Sequence, residues 1–361
     1  MPLRRQIPRV AEPAGAGVPA SLCIFRLSAI GDTTHVLPIL RTVQRRWPDT
    51  AITWVVGRTE AGLVGDIPDV TFRVLDKREG IRRCRARLRA EETGRVHDVI
   101  LQMQSSLRAS LIATSLRGHR RIGFDRARAV NGQWLFTSER IAARSREHVL
   151  DAYFGFLERA GLAARELAWG IPLPDDALAF AARELPADRP LLAISACSSL
   201  RLHNYRDWPA ERYVAVADHA AARGFRVVLT GGPSARERAY ADAIVAGARV
   251  RPVDLVGQTS LKQLAAVLAR CAGLIGPDSG PVHIASALDV PVIGLYATSN
   301  PQRTGPYRHR EFVVDRYPDA VRRFLGREPD TLRWGTRVRH PRAMELITVA
   351  DVCERIDRLA V

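Results

Sequence analysis

Short runs of β-prone apolar residues alternate with amphipathic helical stretches along most of this chain, in two separate series. The strands of the first series are predicted at 22–25, 52–56 and 98–101. Those of the second series are predicted at 191–194, 226–229, 253–256, 273–275 and 290–295. This alternation is typical of βαβ units with parallel strands. The sequence therefore predicts an α/β fold with two Rossmann-like, doubly wound domains that face each other across a cleft.

Composition divides the chain further. Residues 1–20 are rich in Pro, Ala, Gly and Arg without periodicity, which is typical of a flexible extension. Prolines cluster between the two series and indicate a domain boundary near 170–185. We therefore expect an amino-terminal domain at 21–175 and a carboxyl-terminal domain at 185–340. The last part, 341–361, contains the pattern of a closing helix, whereas 308–341 is rich in Arg and Pro and shows no clear helix.

The charge balance narrows the class of partner. The 54 Lys and Arg residues exceed the 38 Asp and Glu residues and leave a formal charge of +16. Such a surplus favours a partner that carries phosphate, whether a nucleotide, a nucleic acid or an anionic membrane surface. Charge alone does not choose among the three.

The cysteines and the amino terminus indicate the compartment. The five cysteines are widely separated and form no CxxC pair, so neither a zinc site nor a disulfide framework is predicted. The apolar stretch 22–40 is interrupted by Arg26, Asp32 and His35, which disfavours a signal peptide and a membrane span. We expect a cytoplasmic protein whose membrane association, if any, is peripheral.

The first candidate site follows the first predicted strand. The segment Arg26-Leu-Ser-Ala-Ile-Gly31-Asp32-Thr33-Thr34-His35 has the composition of a strand-to-helix turn, with a helix that opens near Thr33. A carboxylate at Asp32 would point into the cleft and could accept the proton of an attacking hydroxyl. Spacing alone fits a helix cap equally well. For His35, one turn inside the helix, a buried hydrogen-bonded histidine is the stronger interpretation.

The second candidate site follows a buried strand of the second series. In Gly276-Pro-Asp278-Ser279-Gly280-Pro281-Val282-His283, the proline suits the first helical position, where its missing N–H removes no hydrogen bond. Free backbone N–H groups around Ser279 and Gly280 would then bind a diphosphate without a metal. Helix capping by Asp278 and Ser279 is the alternative. The two loops end strands of opposite domains, as expected of a base and a leaving-group site that share one cleft.

Other nucleotide-binding signatures are missing from the sequence. Neither G-x-G-x-x-G nor G-x-x-x-x-G-K-[ST] follows any predicted strand, since Gly231-Gly232-Pro233 lacks both spacings. The sequence therefore argues against dehydrogenases and P-loop proteins.

Taken together, the two loops resemble the lipopolysaccharide heptosyltransferases of glycosyltransferase family 9. The resemblance covers residues 22 to about 305 and is strongest in Ser28-Ala-Ile-Gly-Asp-Thr33 and in Asp278-Ser-Gly-Pro-Val-His283. It implies the GT-B fold, an inverting transfer of heptose from ADP-heptose to the Kdo of the lipopolysaccharide inner core, and no metal or other cofactor. It also assigns acceptor binding to the amino-terminal domain, the ADP-sugar to the carboxyl-terminal domain, and a closing helix that returns to the amino-terminal domain.

The resemblance also implies roles for individual residues. Asp32 corresponds to the general base, and Asp278 to a residue that orients the donor sugar. The remaining donor contacts it implies are Ser198, Ser199, Arg206, Thr259, Ser279, Gly280 and His283. Thr259 falls beside the adenine, and Arg206 falls where the family has a lysine that neutralises phosphate. Arg201, in a lengthened loop, is a rival for that last role.

The acceptor side is expected in the amino-terminal domain. The stretch 98–108 resembles the acceptor side of the first heptosyltransferase more than the second, which makes Gln104 and Arg108 candidate acceptor contacts, and Arg120 is a third candidate because of its charge. Basic residues that would meet a Kdo–lipid A type acceptor at the anionic inner-membrane surface are Lys77, Arg78, Arg82, Arg83, Arg85, Arg87, Arg89, Arg120 and Arg121. For each of them taken singly, a solvated charged face is the stronger interpretation.

Two alternatives stay open at the level of sequence. One is another GT-B nucleotide-sugar enzyme that acts on a different glycan. The other is a basic nucleic-acid-binding protein, which the charge permits but for which the chain offers no binding module, so we expect no nucleic-acid partner.

Overall fold

The computed structural model describes residues 17–198 and 205–359, which form two α/β domains, each built on one parallel sheet. The strands of the amino-terminal domain are β1 (Ser21–Phe25), β2 (Ala51–Gly57), β3 (Val70–Leu75), β4 (His97–Gln102), β5 (Gly118–Gly123) and β6 (Glu139–Arg140). Those of the carboxyl-terminal domain are β7 (Leu191–Ile194), β8 (Arg226–Leu229), β9 (Val253–Asp254), β10 (Cys271–Pro277), β11 (Val292–Tyr296) and β12 (Val314–Asp315).

Helices flank both sheets. Those that follow the strands of the first domain are α1 (Ile30–Arg46), α2 (Arg58–Val64), α3 (Gly80–Glu91), α4 (Leu107–Ala113) and α5 (Val149–Ala160). The rest are α6 (Asp175–Glu184), α7 (Ala210–Ala222), α8 (Ala235–Gly247), α9 (Leu261–Leu268), α10 (Gly280–Ala287), α11 (Pro301–Thr304), α12 (Tyr317–Leu325) and α13 (Val349–Ile356). Short 3₁₀ turns lie at Lys77–Glu79, Gln133–Leu135, Arg310–Phe312, Pro329–Thr331 and Ala343–Leu346.

The two sheets have the same topology. The first runs β3-β2-β1-β4-β5-β6 and the second β12-β11-β10-β7-β8-β9. In each sheet the first strand along the chain lies at the centre, and strands are added on one side and then, after one reversal, on the other. All described pairs are parallel, with β1 between β2 and β4, and β10 between β7 and β11. The predicted doubly wound α/β fold is confirmed, and the reversal points of both sheets mark where ligands bind in such folds.

The domains share apolar packing where they meet. Helix α1 packs against α10, and α2 against α9, so that one buried cluster runs from Val36 and Leu37 in the first domain to Val282 and Ile284 in the second. Separate clusters lie on the outer face of each sheet. The shared cluster holds the carboxyl edges of the two sheets towards each other, as the GT-B arrangement requires.

The segment between the domains contains a helix that the sequence analysis did not predict. Helix α6 packs on α9 and therefore belongs with the carboxyl-terminal domain. Helix α12 is a second such case. It begins with Pro318 in its first turn, buries Tyr317, Ala320 and Val321, and ends at Gly326, whose φ of 62° is in the left-handed region.

The expectation that residues 341–361 return to the amino-terminal domain is wrong for the described part. Helix α13 packs on α7 and β11, and its buried Val352 and Ile356 belong to the outer cluster of the carboxyl-terminal domain. The apolar face of α13 is therefore buried within its own domain. In this part of the chain, residues 330–334 do contact the amino-terminal domain, where Arg333 donates to the carbonyl of Ala127 (2.8 Å).

Within residues 17–198 and 205–359, none of the helices combines the length and the apolar character that crossing a bilayer requires.

The placement of α13 predicts the effect of truncating Ile356, whose side chain is buried. Ile356→Ala should lower the free energy of unfolding in urea by about 2–5 kcal/mol, because it leaves a cavity in the carboxyl-terminal core. Leu325→Ala, at an exposed position of α12, is the control and should change it by less than about 0.5 kcal/mol. Equal effects of the two changes would contradict the packing of α13.

Candidate active site

A cleft of about 950 Å³ lies between the domains, at the carboxyl edges of both sheets. Its walls are the loops that follow strands β1, β4 and β5 on one side and β10 and β11 on the other. Both predicted loops line it, with Gly31 and Asp32 facing Asp278, Ser279, Gly280 and His283. The expectation that the two loops share one cleft is therefore confirmed.

Asp32 is both a helix-terminal residue and a cleft residue. Helix α1 begins at Ile30, three residues earlier than expected, and the Asp32 carboxylate accepts the backbone N–H of Ala29 (3.2 Å). The same carboxylate forms an ion pair with Arg26 and lies 3.5 Å from the hydroxyl of Tyr153. Its side chain keeps 37 % exposure. The carboxylate is thus held in a fixed direction while one side of it stays open to the cleft.

Arg26 is the residue that fixes Asp32, and the sequence analysis had not assigned it a role. It is the first residue after β1 and is buried, and its guanidinium also donates to the carbonyl of Met103 and lies over the ring of Tyr153. Its partners therefore come from helix α1, from the end of β4 and from helix α5. The position of Arg26 directly after a predicted strand was the available signal.

The amino terminus of α10 opens into the cleft. Ser279 is its N-cap, Gly280 its first residue, and Pro281 lies in its first turn, where no backbone donor is lost. The Ser279 hydroxyl is buried and has no hydrogen-bond partner in the described part of the chain. Free N–H groups, the helix dipole and this hydroxyl together favour an anion at this point.

Asp278 is buried beneath that helix terminus, within a small charged network. Arg206 donates to its backbone carbonyl (2.6 Å) and lies 3.5 Å from its carboxylate. His283 Nε2 lies 3.5 Å from the same carboxylate, and Ser299 donates to it (2.9 Å). Burial would raise the pKa of Asp278, but the hydrogen bond from His283 and the charges of His283, Arg206 and Arg337 outweigh it and hold that pKa at about 2.

Gly31 and His283 bring the two loops into direct contact. A methyl group on Gly31 would lie 2.4 Å from Cδ2 of the His283 ring, closer than any real side-chain contact. The absence of a side chain at Gly31 therefore admits the imidazole of the opposite domain. Through this contact α1 and α10 meet at their amino termini.

His35 supports this contact from behind. Its ring lies 5.1 Å from that of His283 and 5.3 Å from that of His148, both edge to face. Burial lowers the pKa of His35 well below its usual value, and the nearby His283, His148 and Arg26 lower it further. Burial likewise lowers the pKa of His148 to about 3. His35 is buried as expected, although its Nδ1 has no hydrogen-bond partner among the described residues.

The other predicted donor residues lie away from the cleft lining or outside the described residues. The backbone N–H and the hydroxyl of Ser198 both donate to Asp207 (2.9 Å each). Thr259 is half-buried in the turn before α9 and does not line the cleft. Ser199 and Arg201 belong to residues 199–204, outside the described ranges. Of the two arginines that were candidates to neutralise the phosphate, Arg206 is the one that the structure describes, and it lines the cleft.

Of the three predicted acceptor residues, the structure brings only Gln104 to the cleft. Gln104 accepts the N–H of Leu27 (2.7 Å) and donates to Ser28 (3.2 Å), so it also shapes the first loop. The expectations for Arg108 and Arg120 are not supported by their positions. Arg108 donates to the carbonyl of Lys77, outside the lining.

Arg120 lies within β5, away from the carboxyl end of the strand. Its guanidinium pairs with Glu139 (2.7 Å) and donates to the carbonyl of Arg159 (2.8 Å) at the end of α5. Arg121 similarly donates to the carbonyls of Ala113 and Leu116. Both arginines therefore join elements of the first domain to one another.

Several lining residues had no signal in the sequence that would place them there. Arg303 lies in α11, after β11, and forms no ion pair with any described carboxylate, although the charge of Asp32 acts on it. The segment 332–337, to which no role was assigned, forms another wall and crosses between domains. There Trp334 donates to the carbonyl of Glu147 (2.8 Å). Only the folded chain brings these residues together.

Across the described part of the chain, no group of three or more His, Cys, Asp or Glu side chains is arranged to hold a metal ion.

Comparison with known proteins gives a consistent result. The family model for glycosyltransferase family 9 (heptosyltransferase) matches residues 81–322, more than half of the chain. The lipopolysaccharide core heptosyltransferase OpsX of Haemophilus influenzae is 36% identical over 341 residues, which cover 94% of this chain and 97% of that protein.

Solved structures share the fold. A glycosyl transferase family 9 protein of Veillonella parvula superposes with a TM-score of 0.77 at 21% identity, over 94% of this chain and 96% of that one. The Escherichia coli heptosyltransferase WaaC, determined with ADP, superposes with a TM-score of 0.70 at 20% identity, over 94% and 100% of the two chains. At these identities the likeness concerns the fold, which is GT-B.

The depressed pKa of Asp278 predicts a pH-dependent contribution to stability. Because the folded pKa is about 2 against an ordinary 3.8, the ionised carboxylate stabilises the fold above about pH 4, and this stabilisation is lost as the pH falls towards 2. Asp278→Asn should therefore lower the free energy of unfolding at pH 7 by about 2 kcal/mol. The deficit relative to the unmodified chain should shrink in urea titrations near pH 3.

The matched control is Asp49→Asn, an exposed position with no ion pair among the described residues. It should leave stability unchanged at both pH values. A deficit for Asp278→Asn that is as large at pH 3 as at pH 7 would show that the charge of Asp278 is not what stabilises the fold.

Proposed function

The chain belongs to glycosyltransferase family 9, and on that premise we propose that it transfers heptose from ADP-heptose to the Kdo of the lipopolysaccharide inner core, with inversion and with Asp32 as the base. Heptose transfer in lipopolysaccharide core biosynthesis is the activity that its family and its relatives support. The finer assignments, of base, donor contacts and acceptor, are those that the family resemblance implies, and the geometry of the cleft supports the pairing of Asp32 with the amino terminus of α10.

The observation that carries the proposal is that an open carboxylate and an anion-binding helix terminus face each other in one cleft. Asp32 lies in the first turn of α1, Ser279 caps α10, and Gly31 and His283 join the two helices. A single displacement needs a base on one side of the reacting carbon and a site for the leaving group on the other. In this proposal Asp32 is that base and the amino terminus of α10 is that site, and the packing between the domains fixes the distance between them.

The donor occupies the carboxyl-terminal side in this proposal. The diphosphate of ADP-heptose lies at the amino terminus of α10, where the N–H groups near Gly280, the Ser279 hydroxyl and the Arg206 guanidinium neutralise it. His283 also contacts the diphosphate, and Asp278 orients the heptose. Ser198, Ser199 and Thr259 stay candidates for the remaining ADP contacts, although neither Ser198 nor Thr259 lines the cleft in this structure.

The reaction then proceeds in one step. A hydroxyl of the acceptor gives its proton to the Asp32 carboxylate while its oxygen attacks the anomeric carbon of heptose. The bond between that carbon and the diphosphate oxygen breaks, and ADP leaves with the electron pair. Attack from the side opposite the leaving group inverts the configuration. Arg206 and the α10 dipole are assigned to stabilise the negative charge that develops on the leaving ADP. No cofactor is assigned to the reaction.

The acceptor is proposed to be an acidic glycolipid of the Kdo–lipid A type. Arg303 and Arg337 line the cleft without an ion pair to any described carboxylate, which suits an acceptor sugar that carries acid groups. Gln104 is the described acceptor candidate that reaches this wall. On this basis the chain acts as the first heptosyltransferase of the core, at the anionic inner-membrane surface.

Replacement of Asp32 by Asn tests the assignment of the base. Transfer from ADP-heptose should fall by about 10²–10⁴-fold, the contribution of general base catalysis, since the amide accepts no proton. ADP affinity measured by calorimetry should stay within about twofold, because Asp32 is not assigned to the nucleotide.

The matched control is Asp69→Asn. Asp69 is exposed, and its φ of 60° is a conformation that Asn also adopts, so the control should retain both transfer and ADP binding. Near-normal transfer by the Asp32→Asn chain would remove Asp32 as the base, and loss of ADP binding would place it in the donor site instead.

A further inference from the structure

Four large apolar side chains are exposed on two segments of the amino-terminal domain that hydrogen-bond to each other, 102–107 and 130–135. We call Leu107, Val130, Trp134 and Leu135 the apolar rim, and their exposed fractions are 50%, 42%, 43% and 68%. Other exposed apolar side chains of the described residues, such as Leu178, Val250 and Leu325, occur on separate elements. Scattered apolar residues are ordinary on a protein surface, whereas a group of them marks an interaction site.

The exposure of Trp134 and Leu135 results from a well-anchored turn. Gln133, the preceding residue, is fully buried and donates to the carbonyls of Gln102 (2.8 Å) and Gln104 (3.2 Å), while it accepts the N–H of Phe124 (3.2 Å). Because Gln133 points inward, the two residues after it in the 3₁₀ turn Gln133–Leu135 point outward. Their orientation is therefore built into the fold.

The apolar rim lies at the mouth of the active-site cleft. Ser105 and Val130 exchange hydrogen bonds, with Val130 N–H donating to the Ser105 hydroxyl (2.7 Å) and that hydroxyl donating to the Val130 carbonyl (3.1 Å). Both residues also line the cleft. Leu107 begins the helix that follows Ser106. A partner that covers the rim would thus lie next to the opening of the cleft.

Unpaired positive charge lies beside the apolar rim. The one carboxylate of residues 105–135, Asp125, is buried and paired with Arg128. Arg126 is exposed on the same loop. Helix α4, which begins with Leu107, packs against α3, where Arg82 and Arg83 are exposed. None of Arg82, Arg83 and Arg126 has an ion pair with a described carboxylate.

We propose that the apolar rim docks on an anionic lipid bilayer, with Trp134 and Leu135 in the boundary between headgroups and acyl chains and the arginines against the headgroups. An aromatic and an aliphatic side chain framed by unpaired arginines match a surface that is apolar beneath and negative above. A protein partner would need acidic groups to meet these arginines. The inference rests on the proposed function in one respect, namely that a membrane-held acceptor would be delivered at the cleft mouth.

Vesicle binding by the full chain tests the proposal. Cosedimentation is measured with vesicles of phosphatidylglycerol mixed with phosphatidylcholine and with vesicles of phosphatidylcholine alone. The chain should bind the anionic vesicles and lose this binding as salt is raised. The double variant Trp134→Ser, Leu135→Asn should bind the anionic vesicles at least about tenfold more weakly, since it lacks the two apolar side chains that would be transferred from water into the bilayer.

Two control variants separate the contributions. Leu178→Asn, an equally polar change at an exposed site on α6, should bind as the unmodified chain does. Arg82→Gln with Arg126→Gln should weaken binding and flatten its salt dependence. The proposal is overturned if the Trp134, Leu135 double variant binds as the unmodified chain does, or if the unmodified chain shows no preference for anionic vesicles.

Two further readouts keep this inference apart from the proposed function. Transfer to a water-soluble Kdo oligosaccharide without acyl chains should be unchanged in the Trp134, Leu135 double variant. Absent transfer by every form, with vesicle binding intact, would contradict the proposed function and leave the rim proposal standing. The double variant and the unmodified chain are also compared by light scattering. If their molecular masses differ while their vesicle binding is the same, the rim contacts a second copy of the chain and the proposal is overturned.

Discussion

The site depends on one close contact between the domains: the imidazole of His283 lies where a side chain of Gly31 would otherwise be. This contact brings the amino termini of α1 and α10 together, and with them the Asp32 carboxylate and the free N–H groups at the start of α10. The surrounding apolar cluster, which runs through α1 and α10, keeps the two helices in register. The cleft is thus defined by a packed interface.

The charged groups of the two loops are held in place by contacts around this interface. Buried Asp278 stays ionised because Arg206 and His283 lie against it, and these contacts anchor the loop that carries Ser279 and Gly280. On the opposite side, Arg26 fixes the direction of Asp32. In a low-dielectric cleft, such preorganised groups act on developing charge without further rearrangement.

The sequence predicted those parts of the fold and site that local patterns encode. Strand periodicity located β1, β2, β4 and the central strands of the second sheet, and strand-end motifs placed Asp32 and Asp278 in one cleft. It did not locate Tyr153, Arg303 or the 332–337 wall, because these reach the cleft only through long-range packing. Arg120 was assigned to the acceptor because its charge was visible, whereas its partner Glu139 lies on another strand. The docking of α13 on its own domain likewise depends on an apolar surface that periodicity does not identify.

A double-mutant cycle of Gly31→Ala and His283→Ala measures the contact on which this account rests. In the unmodified chain, Gly31→Ala should lower the free energy of unfolding by about 1–3 kcal/mol through overpacking. In the His283→Ala chain the same change should be neutral or stabilising, since the space is then free and alanine favours the helix, which gives a coupling energy of about 1 kcal/mol or more. An equal effect of Gly31→Ala in both chains would show that the two loops do not meet at this contact.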